Sequence, residues 1–365
     1  MTKKELIRSI IFIIITGCMF IVLCDLFEQE NYNNYDQRLY TYREFPEDTI
    51  DGVYIGTSGV DRYWIAAKAY EEYGMTVYPL SVEHMPVWLF PSMIEETITY
   101  QEPQLILLDV RAFTQTLDVK ELDSRARRII DGMDFFSLNR VKTAFKTMEM
   151  IHKADEEKPA FDISYLLSFV KYHSVILSEN YRFEDNIGSK NHEYAGFNMN
   201  PELTVWSKTV KPYTYKGKLD STLDPVAEEV LYELLDYIEE KELNVLFVDT
   251  PQVRSKVETG RTNTVYKILE DRGFDYLTYY TDDKEVPGGI AFDFDYKKDF
   301  YGEGHVNYYG AEKFTAAMAK YLDENYDFPD RREDEAAKEY WDGVYDKIKD
   351  TIKEYEENEK KNKKK

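Results

Sequence analysis

Short, almost wholly apolar runs recur along this chain and alternate with amphipathic stretches. The run Gln104–Val110 is nearly continuous in apolar residues, and Asn244–Asp249 repeats the pattern. Strands have this pattern when both of their faces are buried, as in a parallel sheet. Three further runs predict more strands, at 50–55, 76–80 and 274–279. The sequence therefore predicts an α/β fold with a doubly wound parallel sheet and right-handed crossovers.

Helices are predicted between these strands, at residues 60–73, 86–100, 225–241 and 310–325. The alternation stops between residues 112 and 224. This part contains helical stretches at 119–131, 137–154 and 163–179 and a polar loop at 182–200. We expect it to be an insertion that caps the end of the sheet where ligands bind, which is the carboxyl end of the strands.

The segment Ser9–Cys24 is uncharged and almost wholly apolar. A helix over residues 6–27 would be ~30 Å long, about the thickness of a bilayer core. Basic residues precede the segment and acidic residues follow it, namely Lys3, Lys4 and Arg8, then Asp25, Glu28 and Glu30. The positive-inside rule then predicts a single-pass anchor with a cytoplasmic N-terminus and an extracytoplasmic domain. A cleaved signal peptide and a lipoprotein signal at Ile15–Cys18 are the alternatives.

The predicted organisation has four parts. They are a cytoplasmic stub and transmembrane anchor at 1–27, a stalk at 28–48, an α/β domain at 49–345 and a charged C-terminal tail at 346–365. The two cysteines, Cys18 and Cys24, lie in the anchor, so no disulfide is expected in the exported part.

The whole chain has a formal net charge of −23, and residues 1–27 contain three basic and two acidic residues, so the exported part carries −24. Such an acidic surface excludes nucleic acid as an expected partner. The histidines are scattered and no ligand-grade spacing occurs, so neither a metal nor a cofactor is expected.

Ser58 follows the first predicted strand and precedes a helix, where backbone N–H groups and the helix dipole can stabilise an oxyanion. A serine becomes a nucleophile when a base takes its proton, and histidine suits that task. Of the five histidines, His305 is the best candidate, because it lies in a glycine-flanked polar loop just before the last helix. We expect the two side chains to meet at the carboxyl end of the sheet.

The blocks Gly56–Val60 (GTSGV) and Gly304–Thr315 (GHVNYYGAEKFT) resemble the first and last blocks of SGNH/GDSL hydrolases, in particular their DltD-like, membrane-anchored bacterial branch. The resemblance implies a flavodoxin-like three-layer sandwich. It also implies that Ser58 is the nucleophile and His305 the base.

The chain departs from the family pattern at Gly302, where relatives commonly carry an aspartate that orients the histidine. Three alternatives follow. Asp299 or Glu303 takes over that role, a backbone carbonyl holds the Nδ1 proton and leaves a Ser–His dyad, or the site has lost activity.

The oxyanion hole is expected to use the backbone N–H of Ser58 or Gly59, with Ser81 and Arg111 as further candidates. Arg111 has a second interpretation, an ion pair with Asp109 under the sheet edge. Asn307 is expected to cap the last helix rather than to contact substrate.

Together these features predict an extracytoplasmic, membrane-anchored serine acyltransferase or esterase that acts on O-acyl groups of a cell-surface polymer. The alternative is a catalytically decayed accessory protein for polymer modification. DltD-like relatives are associated with membrane-bound O-acyltransferases, so the resemblance also implies such a partner for acyl delivery.

Overall fold

The computed structural model describes residues 2–26, 35–174, 192–202, 219–252, 254–280, 289–291, 294–295, 297–302 and 304–362. Within these ranges the fold is a six-stranded parallel sheet with helices packed around it. The strands are β1 (Gly52–Gly56), β2 (Val77–Ser81), β3 (Leu105–Asp109), β4 (Val245–Val248), β5 (Asp275–Tyr280) and β6 (Gly289–Ala291). Their order is β2-β1-β3-β4-β5-β6.

The predicted α/β class is confirmed. Every residue of β1 to β4 is buried, which explains why these strands are mostly apolar, with polar residues only at the carboxyl ends of β2 (Ser81) and β3 (Asp109). The order of the first five strands is that of flavodoxin-like sheets, in which ligands bind beyond the carboxyl ends of the strands. The sequence did not predict β6 or the antiparallel pair β7 (Phe300–Gly302) and β8 (His305–Val306), because two or three residues are too few to show a period.

Helices precede, connect and follow these strands. They are α1 (Lys3–Leu26), α2 (Tyr35–Glu44), α3 (Ser58–Asp61), α4 (Ala66–Tyr73), α5 (Phe90–Tyr100), α6 (Val119–Gly132), α7 (Leu138–Ala154), α8 (Ser168–Tyr172), α9 (Pro225–Glu240), α10 (Lys256–Arg272), α11 (Tyr308–Asn325) and α12 (Glu335–Asn362). The predicted helices of the insertion correspond to α6, α7 and α8, the last of which is much shorter than predicted; residues 175–191 lie outside the described part.

One predicted helix, at 60–73, is divided in the structure into α3 and α4. The Thr315 hydroxyl accepts the Ile65 N–H at 2.9 Å and donates to the Tyr63 carbonyl at 3.1 Å. These bonds from α11 replace helical ones, so the chain turns between the two helices. A contact between residues so far apart in the sequence does not alter the local spacing of apolar residues, so the break could not be predicted from that spacing.

The predicted stalk belongs in part to the packed domain. Leu39 and Tyr42 of α2 are buried, and Arg38 is fully buried beside β2. The predicted tail differs in the same way, because α12 continues to Asn362 and buries Ile348 and Ile352. Both segments looked polar because only one stripe of each helix faces the core.

Among the described residues, α1 is the one helix long and apolar enough to span a membrane, with a mean hydropathy of 2.6 over its candidate span Lys3–Cys24. This span has none of its window buried inside the fold. At its C-terminal end the Cys24 carbonyl accepts a hydrogen bond of 2.9 Å from the Ser168 hydroxyl on α8. A membrane anchor and a signal sequence both fit these observations.

Candidate functional site

Ser58 lies at the carboxyl end of β1, next to the centre of the sheet. Thr57 has an extended backbone and is the N-cap of α3, so Ser58 is the first residue of that helix. The Ser58 side chain is almost buried, at 8% exposure. The strand-to-helix turn therefore holds the hydroxyl in one place at the sheet edge.

His305, from the C-terminal part of the chain, lies at the same edge of the sheet as Ser58. It is the first residue of β8, which pairs with β7 so that Gly302 is opposite His305. Asn307 follows as the N-cap of α11, and its side chain accepts the Gly310 N–H at 3.1 Å. The prediction that Asn307 caps the last helix is thus confirmed.

The Ser58 Oγ and the His305 Nε2 are 2.8 Å apart. The structure thus brings together two side chains separated by 247 positions in the sequence. This distance lies within the range for direct proton transfer between a nucleophile and its base. For that transfer the imidazole must be neutral and carry its proton on Nδ1.

The imidazole is half-buried and lies close to positive charges. Its ring stacks on Tyr301, with the centroids 5.6 Å apart, and the Arg62 guanidinium lies 5.3 Å from the centre of the opposing Tyr301 ring. Burial lowers the pKa of His305 to about 3, and the charges of Arg111, Arg62 and His84 act in the same direction. The ring is therefore neutral throughout the physiological range and is a weak proton acceptor.

This lowered pKa predicts an unusual pH dependence. Any rate that depends on neutral His305 is expected to change less than about twofold between about pH 7.5 and about pH 5.5, whereas an ordinary histidine pKa would give a roughly tenfold fall. The rate of active-site labelling by a serine-directed probe measures this. A tenfold fall would contradict the lowered pKa of His305.

Protein stability is the control for that experiment. Because the folded-state pKa of His305 lies below the unfolded value of about 6.5, the unfolded chain binds more protons between these values. The contribution of His305 to stability is therefore present above about pH 6.5 and is lost as the pH falls toward about 3. Circular dichroism at each pH shows whether the protein is still folded.

Asp299 is not hydrogen-bonded to His305 in the described structure. The Asp299 carboxylate instead accepts bonds from the Lys313 ammonium at 2.6 Å and the Asp295 N–H at 2.7 Å. Glu303 lies outside the described residues. No described residue places an acceptor within hydrogen-bond distance of the His305 Nδ1, so the expected role of Asp299 as its orienting acid does not fit this geometry.

Gly302 offers a position at which to test the effect of an acid beside the imidazole. Gly302 is opposite His305 and follows a bulge in β7, and a Cβ on Gly302 would meet no atom within 4 Å, so there is room for a side chain near the imidazole. Gly302→Asp is expected to raise the pKa of His305 and to increase kcat/KM for an acyl ester roughly tenfold or more.

The matched control for this variant is Gly302→Asn, which has the same shape without the charge. The pH profile of Gly302→Asn should equal that of the unmodified protein. An unchanged profile in Gly302→Asp would contradict the placement of residue 302 beside the imidazole.

Thr57 is also part of the site, although it was not predicted from the sequence. The Asp109 carboxylate at the end of β3 accepts bonds from both the N–H and the hydroxyl of Thr57, and from the Arg111 N–H at 2.9 Å. Burial raises the pKa of Asp109, and these bonds oppose the rise. Gly56 permits this approach, since a Cβ there would lie 2.2 Å from that of Asp109. The available signal was a threonine at the N-cap position.

The expected ion pair between Asp109 and Arg111 is wrong, since the hydrogen bond to Asp109 comes from the Arg111 backbone. The guanidinium instead donates to the Gly304 carbonyl at 2.8 Å. A Cβ on Gly304 would lie 2.5 Å from the Arg111 Nη2, so this contact needs glycine. Arg111 thus holds the turn before His305 and adds positive charge there.

The other oxyanion candidates have different surroundings. The Gly59 N–H donates a long bond of 3.3 Å to the Thr57 hydroxyl, whereas Ser58 is at the first helical position, where the N–H has no intrahelical partner. Ser81 pairs in register with Gly56 and is buried, and its hydroxyl has no hydrogen-bond partner in the described structure. Ser81 therefore lines the end of β2 beside the turn that carries Ser58.

A cavity of about 290 Å³ begins at Thr57, next to the Ser58 turn. His84 and Met85, after β2, form one wall, and the first turns of α6 form another with Glu121 and Arg125. The insertion therefore contributes to a cavity at the carboxyl end of the sheet. Within the described residues, no group of three or more His, Cys, Asp or Glu side chains is arranged to hold a metal ion.

Comparisons with known proteins complete the description. No protein-family model matches the chain, and no curated protein matches it. Among solved structures, an acetyl xylan esterase from the rumen bacterium Butyrivibrio proteoclasticus aligns with a TM-score of 0.30 and 12% identity, covering 77% of this chain and 65% of that one. The alignment thus spans less than two thirds of that enzyme, and a TM-score of this size carries no argument about activity.

Proposed function

We propose that this protein is a membrane-anchored serine enzyme that moves a small acyl group to or from hydroxyl groups of a cell-surface polymer. The observation that carries the proposal is the 2.8 Å contact between the Ser58 Oγ and the His305 Nε2 at the carboxyl end of the parallel sheet. The cavity lined by Thr57, next to the Ser58 turn, offers space for the substrate.

The reaction would begin with attack of the Ser58 Oγ on the ester carbonyl carbon. The Oγ–H proton passes to the His305 Nε2, and the carbonyl electron pair moves onto oxygen to give a tetrahedral oxyanion beside the Ser58 N–H. Collapse of this intermediate breaks the ester C–O bond, and Nε2 returns the proton to the leaving alkoxide. A second hydroxyl, from the polymer or from water, then releases the acyl group by the same steps in reverse.

The N-terminal helix supports a membrane location. Its basic flank before the apolar stretch and acidic flank after it favour a cytoplasmic N-terminus, with the catalytic domain on the outer side. An anchored enzyme acts next to the bilayer, where a membrane-bound O-acyltransferase would deliver the acyl group. That partner and the DltD-like SGNH family are proposed from the sequence resemblance.

A second candidate function is a non-catalytic accessory protein for polymer modification. One observation favours it: no described residue accepts a hydrogen bond from the His305 Nδ1, the atom through which an orienting acid commonly holds the base. The fold and the anchor would then serve to hold a polymer or a partner rather than to catalyse.

A fluorophosphonate probe separates the two functions. The full-length protein in detergent is expected to be labelled through the Ser58 oxygen, with loss of fluoride, and Ser58→Ala is expected to show no labelling. Ser92→Ala on α5, away from the site, is the matched control and should be labelled like the unmodified protein. Absence of labelling in the folded, unmodified protein would support the accessory function instead.

A further inference from the structure

Large exposed apolar side chains are concentrated in one region of the domain. Outside α1, eight such residues are strongly exposed in the described part of the chain, and six of them belong to this region. These six, which we call the apolar patch, are Phe136, Leu138, Val141, Phe145, Phe161 and Ile163, at 38–77% exposure. Soluble domains rarely gather so much apolar surface without a partner.

The patch is a continuous surface. Leu138, Val141 and Phe145 follow one another at helical spacing along α7, so they form a stripe. Phe145 contacts Phe161, with ring centroids 6.1 Å apart, and Ile163 begins the 3₁₀ turn that follows. The opposite face of α7 is buried, with Thr143 and Thr147 fully enclosed, so the exposed stripe is not part of the core.

The patch adjoins the end of the membrane helix. The 3₁₀ turn with Ile163 packs against α8, and α8 holds the C-terminal end of α1. Two contacts make that junction: the Ser168 hydroxyl donates to the Cys24 carbonyl, and Phe169 lies 5.5 Å from Phe20 between ring centroids. The apolar surface of α1 and the patch are therefore connected through α8.

We propose that the apolar patch rests in the interfacial layer of the same bilayer that α1 enters. Helical surfaces with one apolar stripe bury it about 5–10 Å into the boundary between headgroups and acyl chains. The chain's net charge of −23 opposes attraction to anionic lipid, so apolar burial is the driving interaction. This inference uses α1 as a membrane helix and is independent of the chemistry at Ser58.

The proposal assigns a role to the insertion. Besides forming a wall of the cavity through α6, it orients the domain on the membrane through α7 and α8. Two contacts, the anchor and the patch, prevent the domain from turning freely about the anchor, so the sheet edge keeps one direction relative to the bilayer.

Spin labelling of the full-length protein in nanodiscs of neutral phosphatidylcholine tests this proposal. In a background of Cys18→Ser and Cys24→Ala, a nitroxide is attached in Leu138→Cys, in Phe145→Cys or in the control Val257→Cys. Val257 is also apolar and 53% exposed, but it lies on α10, outside the patch. The label at 138 or 145 is expected to show a ratio of oxygen to nickel-chelate collisions at least roughly threefold higher than the label at 257.

Two results would overturn the proposal. A collision ratio at both patch positions equal to that at 257 would mean that the patch faces water. Protection of both patch labels from oxygen as well as from the nickel chelate would mean that a protein, such as a second copy of the chain, covers the patch. Labelling by the fluorophosphonate probe is unaffected by either result, so it reports separately on the proposed function.

Discussion

Replacement of His305 by alanine is expected to slow acyl transfer, or labelling by a fluorophosphonate probe, by roughly 10²- to 10⁴-fold. The imidazole is 2.8 Å from the Ser58 hydroxyl and is the proton acceptor of the proposed reaction. Without it, Ser58 keeps its proton and remains a weak nucleophile. The measurement is the second-order rate constant of labelling at about pH 7.5.

The matched control is His173→Ala, which removes an exposed imidazole at the end of α8. This variant should keep the full labelling rate. Equal thermal midpoints for the two variants would show that the fold is retained in both. Labelling of His305→Ala at the unmodified rate would rule out His305 as the base and with it the proposed mechanism.

The second large effect concerns stability and a buried ion pair. Asp61→Ala is expected to lower the free energy of unfolding by about 3–5 kcal/mol, because it removes the buried carboxylate that the buried Arg38 guanidinium binds. The Arg38 Nη2 and the Asp61 Oδ2 are 2.9 Å apart, and neither side chain is more than 2% exposed. Urea unfolding of the full-length protein in detergent, followed by circular dichroism, measures the change.

The same pair also holds the helix that begins at Ser58. Arg38 of α2 donates to the Gly196 carbonyl at 2.7 Å, and the Asp61 carbonyl accepts the Asn198 N–H at 2.7 Å. We therefore expect Asp61→Ala to reduce probe labelling of Ser58 as well, under conditions where the variant is still folded.

Lys267→Ala provides the control for Asp61→Ala. It breaks an ion pair with Asp220 in which both side chains are 53% exposed, and it should change stability by less than about 1 kcal/mol. If Asp61→Ala lowered the free energy of unfolding by a similarly small amount, the Arg38 guanidinium would be hydrated in that variant. The predicted stalk would then be an appendage and not a part of the domain.

The strands were predictable because their signal is local. A strand buried on both faces is apolar at nearly every position, so a run such as Gln104–Val110 can be recognised without knowledge of its neighbours. α2 and α12 were harder to assign, since one buried stripe within a polar segment resembles a solvated surface helix.

The same contrast applies to the candidate site. Ser58 and His305 could be selected from the sequence because each lies in a short motif beside a predicted element boundary. The bonds from Thr57 to Asp109 and from Arg111 to Gly304 could not, because they join residues 52 and 193 positions apart. The type of a residue indicates which chemistry its side chain can perform, but not which distant residue it contacts in the folded protein.

By itself, then, the sequence determined the α/β class, the parallel sheet, the apolar N-terminal helix and the two residues of the candidate pair. The tertiary structure alone decided that Asp299 binds Lys313 and is not hydrogen-bonded to His305, and that Arg38 closes an ion pair with Asp61. The physical reason is that burial patterns depend on each residue's own solvation. The partner of a buried polar group depends instead on which distant elements the packed sheet and helices bring together.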